Sequence, residues 1–108
     1  MACESLVSIL QHEFTVEYTT SPERALEKLY RKSFNFVLSD LQMPIMTGDD
    51  LYKIVKENKG PNKKTPFIFI SAYTSESPVE DVIILTKPVR LNDIKKAMES
   101  VLAKNPAP

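Results

Sequence analysis

An α/β fold, a doubly wound parallel sheet with helices on both faces, is what this sequence of 108 residues predicts. Helix-period and strand-period segments alternate along nearly the whole chain, and such alternation builds parallel sheets covered by helices. Several strand segments are short, mostly apolar runs, as expected of strands buried on both faces. Three of them end in polar residues, Asp40, Ser71 and Lys87.

Each element has its own signal. Cys3, Leu6, Val7 and Leu10 fall at i, i+3, i+4 and i+7, so residues 2–12 read as an amphipathic helix. Residues 14–19 alternate Phe, Val and Tyr with polar residues and read as a strand. Ser21-Pro22-Glu23 combines a capping hydroxyl, a proline at the first helical position and an acid. The helix it opens carries Ala25, Leu26, Leu29 and Tyr30 on one face. Residues 34–38 form a short strand running into Ser39-Asp40. Thr47-Gly48-Asp49-Asp50 reads as a capping box, followed by a helix that buries Leu51, Ile54 and Val55. Residues 57–66, with two prolines and three lysines, read as a solvated basic loop. Phe67-Ile68-Phe69-Ile70 is the most hydrophobic strand and leads into Ser71-Ala72. Residues 82–85 form the next strand, before Thr86-Lys87-Pro88. Leu91, Ile94, Met98, Val101 and Leu102 define a closing helix. The chain thus reads as one domain over residues 1–104 with a loose tail at 105–108.

Composition narrows the function. Apolar residues make up 43% and charged residues 26%, an ordinary globular balance. Fourteen basic and fourteen acidic residues cancel, so nothing draws the chain toward nucleic acid or an anionic membrane. No apolar run approaches the roughly 20 residues of a membrane span. The first residues are acidic rather than basic, unlike a signal peptide, and the cytoplasm is the expected location. One cysteine, Cys3, excludes an internal disulfide, and one histidine, His12, leaves no Cys/His zinc site. Only two glycines, Gly48 and Gly60, are present, too few for a glycine-rich phosphate loop.

What remains is the set of strand ends. Ligands of open parallel sheets bind beyond the carboxyl ends of the strands. Taken singly, Asp40 is a turn former, Ser71 a cap and Lys87 a solvated cation. Taken together, they bring a carboxylate, a hydroxyl and an ammonium to one edge of the sheet.

At these residues the chain resembles the receiver domain of two-component response regulators, including receivers attached to hybrid histidine kinases. The resemblance rests on Asp40-Leu41-Gln42-Met43-Pro44-Ile45-Met46-Thr47-Gly48, on Ser71-Ala72 and on Lys87-Pro88. It covers the chain to about Lys104. It implies a flavodoxin-like (CheY-like) fold and a phosphoacceptor signalling domain rather than a conventional enzyme. Asp40 would take a phosphoryl group from a histidine kinase or a histidine phosphotransfer protein. Ser71 and Lys87 would bind the phosphoryl oxygens, and the bond to Pro88 would be cis. Mg²⁺ would be held by Asp40 and the backbone carbonyl of Gln42.

The chain departs from the family in three places. The family's opening strand and the acidic pair at its end have no counterpart before Asp40, as in an N-terminally truncated receiver. Mg²⁺ is then left with few of the oxygen ligands that it prefers. The fourth helix is shortened to at most two turns between Thr74 and Asp81, and Ile84 stands where the family tends to place an aromatic residue. The alternative reading is a degenerate receiver, or a fragment, that serves only as a protein-interaction module. Self-association through the open sheet is a further expectation, because an unpaired edge invites another chain.

Overall fold

The computed structural model describes residues 8, 10–41, 46–58, 60–72, 76–79 and 82–104. Their order is α1 (Pro22–Arg31), β1 (Val37–Asp40), α2 (Gly48–Glu57), β2 (Phe67–Ser71), β3 (Ile83–Thr86) and α3 (Leu91–Lys104). The strands form one parallel sheet in the order β1-β2-β3. Val37 pairs with Phe67 and Asp40 with Ile70, while Ile68 pairs with Ile83 and Ser71 with Thr86. This is the flavodoxin-like α/β arrangement that the sequence predicts.

Of the three described strands β2 lies at the centre, and its unbroken apolar run suits a strand covered on both faces. All five of its residues are buried. On one face Phe67 and Phe69 pack with Leu29 of α1 and with Leu51 and Val55 of α2. The ring of Tyr52 meets both phenylalanines edge-on, at centroid distances of 5.2 and 6.0 Å. Side chains alternate along a strand, so Ile68 and Ile70 point to the other face. That is the face of α3, which packs against β3 and buries Ile94, Ala97 and Val101. Burying a side chain the size of Ile94 or Val101 contributes about 1.5–3 kcal/mol.

Both capped helix starts form. The Ser21 hydroxyl accepts from the Arg24 amide at 3.3 Å, with Pro22 beginning α1. Thr47 and Asp50 form a reciprocal capping box, each side chain accepting from the other's amide at 3.3 Å.

The structure corrects several expectations. Residues 15–19 are not a strand and pair with no part of the sheet. β-propensity alone does not make a strand without a neighbouring edge to bond to. Instead Glu17 turns to α1, where it receives Lys28 Nζ at 3.0 Å and Lys32 Nζ at 2.8 Å. β1 begins at Val37 and runs through Asp40, later than residues 34–38, and β3 begins at Ile83 rather than Val82. The loop before β2 is not simply solvated, since Asn62 and Thr65 are buried in it. The inner face of α3 uses Ala97, while Leu102 is exposed.

Ser8 and Leu10 are helical, but the rest of the predicted helix at 2–12 lies largely outside the described residues. Between β2 and β3, residues 76–79 are not helical. The tail at 105–108 also lies outside the described residues.

The loop before β2 is organised by one side chain. The Asn62 amide donates to the carbonyls of Leu29 and Lys32 at 2.6 and 2.7 Å. Its oxygen accepts from the Phe34 amide at 2.8 Å and from the Thr65 hydroxyl at 2.9 Å. Asn62 thereby satisfies carbonyls at the end of α1 and fixes the approach to β1 and β2 together. Nearby, Lys56 donates to the Thr65 carbonyl and lies 5.5 and 5.4 Å from the ring centroids of Tyr52 and Phe67. Burial holds its ammonium below the ordinary lysine range.

Candidate functional site

The parallel ladder brings the three polar strand ends to one edge. Asp40 is the last residue of β1, Ser71 the last of β2, and Lys87 follows β3 directly. Two backbone bonds continue the ladder past the strands. The Leu41 amide donates to the Ile70 carbonyl at 2.9 Å, and the Lys87 amide to the Ser71 carbonyl at 2.8 Å. Asp40 and Lys87 are therefore both registered against β2.

Their side chains meet above it. Lys87 Nζ lies 2.6 Å from Asp40 Oδ2, a charge-assisted hydrogen bond. The side chains are 24% and 17% exposed, respectively, so the pair is neither fully solvated nor sealed off. An ion pair so placed holds its geometry and stays open to a small reactant. Ser71 is fully buried at the same edge. The peptide bond between Lys87 and Pro88 is cis.

Gly48 takes a part in this site that its place in the motif does not reveal. A Cβ at Gly48 would stand 2.7 Å from the Asp40 carbonyl oxygen and 3.0 Å from Ser39 Oγ. The start of α2 thus rests directly on the backbone that carries Asp40, and only a residue without a side chain fits there. The sequence signal was the glycine itself, an unfavourable residue at the start of an otherwise well-capped helix.

Gln42, assigned a metal-binding carbonyl by resemblance, lies outside the described residues. Among the described residues no group of three or more His, Cys, Asp or Glu is placed to hold a metal ion. Asp40 Oδ2 already faces an ammonium at 2.6 Å. A carboxylate so engaged, with no acidic cluster beside it, does not supply the oxygen-rich octahedral shell of Mg²⁺. The described donor set does not fit that ion. No described helix is long and apolar enough to cross a membrane.

Comparison with known proteins agrees with this architecture. The family model for the response regulator receiver domain matches residues 1–99. The two-component response regulator ORR3 of Oryza sativa subsp. indica is 34% identical over 101 residues, covering 85% of this chain and 75% of that protein. The serine/threonine-protein kinase RIM15 of Saccharomyces cerevisiae is 32% identical over 66 residues, 59% of this chain. The chain spans 4% of the length of RIM15 and 2% of that of hybrid signal transduction histidine kinase G of Dictyostelium discoideum. Among solved structures, Vibrio cholerae chemotaxis protein CheY4 superposes with a TM-score of 0.78 at 28% identity, covering 92% of this chain and 88% of that one. The receiver domain of sensor histidine kinase PA1611 from Pseudomonas aeruginosa PAO1, which has a magnesium ion in its active site cleft, shares the fold. Its TM-score is 0.79 at 13% identity, over 94% of this chain and 88% of that one. With its sheet edge, its sequence and its fold in agreement, this chain belongs to the response regulator receiver domain family.

Proposed function

We propose that Asp40 accepts a phosphoryl group from a histidine kinase or a histidine phosphotransfer protein, as one step of a phosphorelay. The observation that carries this reading is the Asp40–Lys87 pair, held at the exit edge of the sheet at 2.6 Å and partly open to solvent. In the transfer an Asp40 carboxylate oxygen attacks the phosphorus of the donor phosphohistidine. The new P–O bond forms as the P–N bond breaks, and the imidazole leaves with the bonding electrons and takes a proton from solvent. Such transfers need little covalent work from the protein and depend on position and charge. Lys87, already beside the carboxylate, neutralises charge on the phosphoryl oxygens. Ser71, at the end of the adjoining strand, offers a hydroxyl to the same group. The Mg²⁺ that PA1611 holds is not assigned a step, because the described donors of this chain do not fit it.

A second reading is favoured by that same gap. A receiver fold with no acidic cluster around Asp40 among its described residues suits a degenerate module that binds a partner without phosphotransfer.

Intact mass after incubation with acetyl phosphate, with and without Mg²⁺, separates the two readings. Asp40→Asn is the control, and a circular-dichroism melt verifies folding. One phosphoryl group on the wild type alone supports phosphotransfer. No addition to a folded chain under either condition rejects it in favour of the binding module.

A further inference from the structure

Lys56 takes no part in the chemistry at the strand ends, yet its amine is placed as a nucleophile is placed. It stands in the last turn of α2, half-buried, and donates to the Thr65 carbonyl on the approach to β2. It lies over the rings of Tyr52 and Phe67, 5.5 and 5.4 Å from their centroids. Two aromatic faces and a peptide carbonyl thus take the place of part of its hydration. Burial also lowers its proton affinity, so a larger share of the amine is neutral than on an open surface. Removal of a lysine from water in this way is a general means of making it reactive.

A neutral amine suits this place. It still donates one N–H to the Thr65 carbonyl, and its lone pair is left for an electrophile. An amide made from it keeps that N–H and sheds the charge that burial penalises. A small acyl group adds apolar surface beside two apolar rings. The surroundings also select the donor. Lys53 stands one turn earlier on α2, and Lys63 and Lys64 stand just before Thr65, all three exposed. Their ammonium groups raise the local concentration of small anions. A half-buried amine admits a small reagent more readily than a bulky one.

We propose that Lys56 accepts an acyl group from a small acyl phosphate. The amine attacks the carbonyl carbon, and a C–N bond forms as the C–O bond to the phosphate breaks. Phosphate leaves with the bonding electron pair, solvent takes the proton that nitrogen sheds, and the product is a neutral amide. Acyl phosphates carry two electrophilic atoms. A carboxylate such as Asp40 takes the phosphoryl group at phosphorus, whereas this amine attacks carbon. The mark on Lys56 therefore does not depend on phosphotransfer to Asp40.

Peptide mass spectrometry of the full chain after brief treatment with acetyl phosphate tests this. Acetyl occupancy is read at each lysine, after hydroxylamine has removed any phosphoryl group from a carboxylate and left the amides intact. Initial acetylation of Lys56 is expected to exceed that of Lys53 and of Lys63 by at least about threefold. The preference belongs to the fold, so it is expected to vanish in urea strong enough to unfold the chain. Two results overturn the proposal: acetylation of Lys56 no faster than that of the exposed lysines, or a preference that persists in the unfolded chain.

Discussion

Lys87 and Asp40 are 47 positions apart in sequence, yet their side chains meet at 2.6 Å across the end of the strand that separates β1 from β3. The proposed phosphotransfer needs both charges. Lys87→Met is expected to abolish detectable phosphorylation by acetyl phosphate, read by intact mass. It also leaves a partly buried carboxylate without its cation. Fully exposed pairs contribute up to about 1 kcal/mol, and breaking buried ones costs several. A loss of about 1–2 kcal/mol is expected for this intermediate case, measured as a shift in urea midpoint at constant slope.

Gly48→Ala sets two effects against each other. Alanine favours helix over glycine by about 1 kcal/mol in a helix interior and by less at a first turn. The added Cβ would stand 2.7 Å from the Asp40 carbonyl oxygen, which is backbone and cannot swing away. Overpacking of this kind costs about 1–3 kcal/mol, so net destabilisation is expected in urea titration. A stabilised variant would show that α2 does not rest on Asp40 as described.

Asn62 makes four hydrogen bonds at the junction of α1, β1 and the loop before β2. Asn62→Ala leaves those partners without it in a buried place. The expected loss is about 2–4 kcal/mol, large for a residue outside the apolar core. Asn62→Asp is expected to be no better, because a carboxylate would face two carbonyls that now accept hydrogen bonds. Thermal melts of both variants check this.

Glu17 has its carboxyl held below the ordinary range, first by its hydrogen bond to Lys32 and then by that to Lys28. A folded-state value below the unfolded one contributes stability that is present above the unfolded value. That contribution is lost as pH falls through the lowered folded value. The melting temperature of the wild type should therefore exceed that of Glu17→Gln at neutral pH. The gap should close in acid, below the ordinary carboxylate range. A gap independent of pH would sink the assignment.

Lys56 works in the opposite direction. Burial lowers its folded-state value, so the folded chain binds fewer protons than the unfolded one between that value and the ordinary lysine range. Wild-type stability should rise with pH across this window relative to Lys56→Met, which has no amine to discharge. Paired melts at neutral and alkaline pH measure it.

Much of this architecture could be read directly from the residues. The uninterrupted apolar run of β2, the Ser21 and Thr47 caps and the period of α3 are local signals, and each produced its element. Residues 14–19 misled because strand pattern is a property of the segment, whereas pairing depends on what lies beside it. Asn62 was hidden among lysines and prolines whose composition reads as solvent-exposed. Its burial depends on carbonyls at the end of α1, 30 and 33 positions away. At the site, position was legible and contact was not. Asp40, Ser71 and Lys87 could each be placed at a strand end, but the meeting of Asp40 with Lys87 required the register of all three strands.

The two charged residues of the site are not built on each other. Each is fixed to β2, Asp40 through its pairing with Ile70 and Lys87 through the Ser71 carbonyl. β2 thus acts as a common datum from which both positions are measured. Any change that lengthens, twists or shifts this one strand moves the two reference points together or apart. Phe69 and Ile68 are fully buried within that strand, so their volumes help set the alignment of the instrument.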